Sequence, residues 1–170
     1  MKSATLRELQ APLKQRYQDE PEAAMITLSA QGVLDEGIAC SVATGKAIVQ
    51  AGLHPATGGD GLMACSGDML LQALVACAGV TLRAVATALD IPIRGGHVIA
   101  DGDLDFRGTL GVDKTAAVGF ADIRLRFNLD TDATPEQLDT LLKLTERYCV
   151  VYQTLQNKPP VTINLVRVEA

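Results

Sequence analysis

Two periodicities organise this chain. Between residues 4 and 17, Leu6, Leu9 and Leu13 recur at helical spacing among Arg7, Glu8, Lys14 and Gln15, which predicts an amphipathic helix. Pro12 inside it predicts a kink or an early stop, because proline removes a backbone donor and crowds the preceding turn. Pro21 sets this segment off, so 1–20 reads as a helical extension and 21–170 as a single domain. Segments 25–33, 38–43 and 46–51 predict short strands, punctuated near Asp35-Glu36-Gly37 and Thr44-Gly45. A glycine-rich loop follows over 52–61.

From Ser66, placed as N-cap, to about Leu89 the chain is apolar around most of a helical circumference, with Asp68 in the first turn where a negative charge suits the helix dipole. Such a helix belongs in the centre of a structure, and a second subunit is the economical way to cover it. Period two returns over 97–110, where Val98, Ala100, Gly102, Leu104 and Phe106 alternate with Asp101, Asp103, Asp105 and Arg107. It recurs at Ile123, Leu125, Phe127 and Leu129. Thr134-Pro135-Glu136-Gln137 opens a second helix with a capping box. Cys149 falls on that helix's apolar face if helicity persists so far. Residues 161–168 predict a last strand. The order of elements is α+β: antiparallel sheets around a long apolar helix.

Composition narrows the function classes. Net charge is −5 with no run of Lys or Arg, which argues against nucleic acid as an obligate partner. Aromatics make up 4% and Trp is absent, so small and aliphatic residues must fill the core. The first residues lack the apolar stretch of a secretory signal. The most apolar run, Met69 to Leu82, spans 14 residues, short of the roughly 20 that cross a bilayer. No membrane association and a cytoplasmic, reducing location are expected, where permanent disulfides are rare. Cysteines at 40, 65, 77 and 149 form no Cys-x-x-Cys pair, and two histidines give no zinc signature. No metal or cofactor is expected.

The cysteines remain as candidate chemistry. Cys77 is flanked by Ala73, Ala76, Ala78 and Gly79, small residues that admit another backbone. An apolar setting alone would raise a thiol's pKa above its usual value of about 8.5, so reactivity asks for a nearby cation. Cys65, just before a helix, is a rival thiol, and Cys40 reads as strand core. Gly58-Gly59-Asp60-Gly61 lacks the Lys-Ser/Thr ending of a phosphate loop, and Asp60 and Asp68 oppose an anion. His54 reads as a loop residue, and Asp101, Asp103 and Asp105 as a solvated face.

Ser66-Gly67-Asp68-Met69-Leu70-Leu71-Gln72-Ala73-Leu74-Val75-Ala76-Cys77 resembles the first motif of the OsmC/Ohr family, and Glu146-Arg147-Tyr148-Cys149-Val150-Val151-Tyr152-Gln153-Thr154-Leu155 resembles the second. The motifs lie 72 residues apart on the expected helices. The resemblance implies an intertwined homodimer with sites near the subunit interface. It also implies a thiol-dependent peroxidase for small or organic hydroperoxides, in which Cys77 attacks the peroxide, Cys149 resolves the sulfenic acid, and a dithiol reduces the disulfide. Asp68 stands where the family has a glutamate that orients an arginine. The chain departs from the pattern in carrying no arginine from Tyr17 to Leu82, and in having Val150 and Tyr152 where proline and histidine or serine are usual. The alternatives are a non-catalytic small-ligand-binding dimer and a thiol redox sensor, both with the same fold.

Overall fold

The structure, a computed structural model, describes residues 2–19, 27, 32–34, 39–44 and 47–167. Its elements run α1 (Ser3–Asp19), β1 (Gly32–Leu34), β2 (Ala39–Thr44), β3 (Ala47–Gly52), β4 (Ala64–Cys65), α2 (Ser66–Ala88), β5 (Gly95–Leu104), α3 (Phe106–Thr109), β6 (Phe120–Asp130), α4 (Pro135–Tyr148) and α5 (Val150–Gln156). The architecture is α+β, with two small sheets beside a long helix. In the first sheet the order is β1-β2-β3-β4, antiparallel except for the short parallel pairing of β3 with β4. The second is the β5–β6 antiparallel hairpin. Most of the 25–33 expectation lies outside the described residues.

The long helix holds the molecule together. Leu74, Ala78, Leu82 and Val85 form its buried face, at spacings of four, four and three. Leu82, Val85 and Ala86 join Ile91 and Leu141 of α4 in the core, with Ile93, Phe127, Leu129 and Leu138 packed around them. Each fully buried leucine contributes about 1.5–3 kcal/mol relative to exposure. The opposite face is apolar too, yet uncovered within one chain: Val80 is 73% exposed. By length and a mean hydropathy of 1.8, this 23-residue helix could cross a membrane, so shortness does not exclude a span. Within one chain it packs on α4, α5 and β5.

The hairpin confirms the period-two reading. From Asp122 to Asp130, exposed and half-buried residues of β6 alternate. Outward carboxylates are tied down by arginines: Asp101 by Arg126, Asp103 and Asp122 by Arg124, Asp130 and Asp132 by Arg94. Asp101 faces Arg124 in register but pairs with Arg126 on the diagonal. On the inner side Gly102 lies under the Phe120 ring. A Cβ there would meet Phe120 Cε1 at 2.5 Å, so only glycine fits.

Four expectations need correction. Pro12 neither stops nor divides α1, which runs from Ser3 to Asp19 around it; proline costs one backbone bond, and the helix continues past it. Ser66 is the first helical residue and not the cap; Cys65, still extended, takes the cap position without a side-chain bond. The strand expected over 97–110 ends at Leu104, because the Asp105 carboxylate accepts from the Arg107 N–H and starts the one-turn helix α3. Residues 161–167 form no strand within one chain. A strand needs a sheet edge, and here Val161, Ile163, Leu165 and Val166 stand in solvent.

Candidate active site

Helix α4 begins as its sequence dictates. The Thr134 hydroxyl accepts from the Gln137 N–H, and the Gln137 side chain accepts from the Thr134 N–H, with Pro135 at the first helical position. Its end is less predictable. Cys149 does not continue the helix; with φ −75° and ψ 107° it closes α4 and opens α5 in a single residue. Its N–H donates to the Thr145 carbonyl at 2.9 Å, and its carbonyl accepts from the Gln153 N–H at 2.9 Å. The side chain is turned inward and 1% exposed.

This break decides the chemistry. The first N–H groups of any helix lack partners within it. In α5, the Val150 and Val151 N–H groups are directed at the sulfur of Cys77, while those of Tyr152 and Val151 bear on the sulfur of Cys149. Cys77, half-buried on α2, is a free thiol, as is Cys149, and each bears on the other's ionisation. The Thr81 hydroxyl, one turn further along α2, completes the set around Cys77.

Burial raises the Cys77 thiol, but the Val151 N–H, the Cys149 thiol, the Val150 N–H and the Thr81 hydroxyl outweigh it, and its pKa falls below the ordinary cysteine value. Cys149 moves the other way. Burial raises it first, and the negative charge on Cys77 raises it again, against the Tyr152 and Val151 N–H groups. The two thiols are thus shifted apart, Cys77 toward the thiolate and Cys149 toward the thiol.

None of these leading influences on Cys77 is a cation. Within one chain, backbone amides and a hydroxyl lower the Cys77 pKa. Thr81 could have been found from the sequence, since it lies four residues after Cys77 on one helix face. The two valine amides could not, because their role depends on where α5 docks. Asp68 occupies the exposed first turn of α2, about 13.5 Å along the axis from Cys77 at 1.5 Å per residue, so within one chain it stands apart from the thiol pair.

The remaining candidates settle into structural places. Cys65 is half-buried at the N-cap of α2. Cys40 lies on β2 opposite Ala51, with its side chain outside the described residues. His54 caps the turn at Pro55–Thr57, its Nδ1 accepting from the Ala56 N–H at 3.1 Å, and stacks on Phe106 with ring centroids 5.0 Å apart. No cluster of His, Cys, Asp or Glu suited to a metal occurs among the described residues.

The sequence profile described as OsmC-like protein matches residues 59–164, which takes in both cysteines of the pair. The chain belongs to the OsmC-like protein family. No curated protein matches its sequence. Among solved structures it resembles an OsmC-like protein from Mycoplasma pneumoniae at 18% identity and a TM-score of 0.65, over 78% of this chain and 89% of that one. An organic hydroperoxide resistance protein OsmC from Legionella pneumophila matches at 16% identity and a TM-score of 0.61, over 79% and 92%. An organic hydroperoxide resistance protein from Elizabethkingia anophelis matches at 14% and 0.63, over 79% and 91%. At such identities the likeness establishes the OsmC-like fold and leaves the chemistry to this chain's own residues.

Proposed function

We propose that this OsmC-like protein is a cysteine-based peroxidase that reduces small or organic hydroperoxides. The observation that carries the reading is the thiol pair, in which the Cys77 pKa is lowered and the Cys149 pKa raised, each partly through the other. The Cys77 thiolate attacks the terminal oxygen of the hydroperoxide and becomes a sulfenic acid, and the alcohol leaves. Cys149 then attacks the Cys77 sulfur to form a disulfide, which a cellular dithiol returns to two thiols. A cleft of about 640 Å³ beside α5 is lined by Leu70, Leu74, Phe127 and Leu142 together with Asp122, Glu146 and Lys158, and neither cysteine lines it.

The same reading includes a homodimer in the cytoplasm. Two observations support the dimer: the uncovered apolar face of α2 and the solvent-facing Ile163 and Leu165, 90% and 98% exposed in one chain. A soluble monomer rarely leaves so much contiguous apolar surface bare. Consumption of tert-butyl hydroperoxide in the presence of a dithiol tests the activity. The expected result is turnover in the wild type and its loss in Cys77→Ser; turnover that survives this substitution overturns the assignment.

A further inference from the structure

A second cleft, of about 570 Å³, lies where the start of α1 meets the C-terminal end of α2, and neither Cys77 nor Cys149 lines it. Its walls carry three cations, Lys2 and Arg7 at the start of α1 and Arg83 on α2, against a single carboxylate, Asp90. That carboxylate does not neutralise them. Its Oδ2 stands 3.8 Å from Arg7 Nη2, beyond hydrogen-bond reach, and both side chains are more than two-thirds exposed. The two guanidiniums are held by uncharged groups instead. Arg7 Nη2 donates to Ser3 Oγ at 2.6 Å, and Arg83 Nη1 donates to the Ile93 carbonyl at 2.8 Å. A guanidinium has several further N–H donors, so each is oriented by one bond and keeps others for a ligand. Elsewhere on this acidic chain Arg94, Arg124 and Arg126 lie directly against aspartates. The carbonyls at the end of α2 do not compete for the cations, since those of Val85, Ala86 and Thr87 accept from the Leu89, Ile91 and Asp90 N–H groups.

We infer that this cleft binds a small organic phosphomonoester. Three cations facing one carboxylate leave a surplus that a dianion matches, and guanidinium forks fit phosphate oxygens two at a time. The phosphate lies between Arg7 and Arg83, with Lys2 adding a third positive charge. The apolar body of the ligand rests on Ile91, Pro92 and Ile93, which line the same cleft. The volume falls within the roughly 300–1,000 Å³ of small-molecule sites. A ligand seated there touches both helices and so fastens α1 to the body of the protein. The inference stands independently of the peroxidase reading, because it uses neither thiol.

Calorimetric titration of the full-length protein with phenyl phosphate, at constant ionic strength, tests this. The wild type is expected to bind one equivalent per chain saturably. Benzoate, with a similar ring and a single charge, should bind about tenfold more weakly. Arg83→Gln and Arg7→Gln should each weaken phenyl phosphate by about tenfold or more, since hydrogen bonds between ions are the strong ones. The two variants act from different helices, so Arg83→Gln decides the matter if Arg7→Gln disturbs α1. Asp90→Asn removes the opposing carboxylate and should tighten binding. Lys143→Gln, on the exposed surface of α4, changes the net charge as the arginine variants do and should leave the affinity where it was. No saturable binding to the wild type overturns the site. So does an affinity unmoved in Arg83→Gln, or one that falls equally in Lys143→Gln. Benzoate binding as tightly as phenyl phosphate overturns the assignment to a phosphomonoester.

Discussion

Cys77 and Cys149 are shifted in opposite directions, each acting on the other beside burial and the α5 amides. Cys77 is 72 residues before its partner in the chain, yet the first turn of α5 serves both sulfurs at once. The charge on Cys77 is held by dipoles that the fold has already fixed in place. Such donors need no reorganisation when the charge appears.

The pH dependence of alkylation follows from these directions. A free cysteine ionises near pH 8.5. As pH rises, Cys77 should become a thiolate below that point, because its pKa is lowered, and Cys149 only above it. Iodoacetamide labelling, quantified by mass spectrometry across pH 5–10, is expected to show Cys77 reacting first. Equal midpoints for the two cysteines would contradict these opposite shifts.

Replacing the Thr81 hydroxyl isolates its share. Thr81→Val keeps the side chain's shape and removes the donor. Hydrogen bonds to charged groups contribute roughly 1.5–3 kcal/mol, so labelling of Cys77 at pH 7 should slow by about tenfold or more, with the midpoint moved upward. Thr81→Ser should restore most of the rate. A valine variant that labels as fast as the wild type removes Thr81 from the site.

The uncovered face of α2 gives an assembly prediction. Val80→Asp places a charge where one chain alone leaves an apolar side chain in water. For a monomer this is a harmless change. For the proposed dimer it buries a carboxylate, so sedimentation should show the wild type at twice the chain mass and the variant at 17.9 kDa. Identical sedimentation of both proteins would argue that this face is not the interface.

Stability should divide between core and cap. Leu141, 1% exposed, sits against Leu82 and Val85 between the two long helices. Leu141→Ala is expected to cost about 2–5 kcal/mol in denaturant unfolding. Thr134→Ala breaks only the capping box of α4 and should cost about 1 kcal/mol. A larger loss at Thr134 than at Leu141 would invert the picture of what supports α4.

The features legible in the sequence were those encoded locally. The capping box at Thr134 and Gln137, the alternation of Ile123, Leu125, Phe127 and Leu129, and the apolar helix bearing Cys77 all rest on spacing within one element. Illegible were matters of docking: the amides of Val150 and Val151 acquire meaning only once α5 is set against α2. Backbone donors leave no mark on residue type. Residues 161–167 show the reverse error, in which a correct apolar pattern was assigned a sheet that one chain does not provide.

Because α4 ends and α5 begins on Cys149 alone, there is no slack between them. One inserted residue after Tyr148 would displace the amides of Val150 and Val151 while leaving Leu141 and Thr145 seated. Related chains could thus shed or regain reactivity through a single codon at this joint and keep the same scaffold.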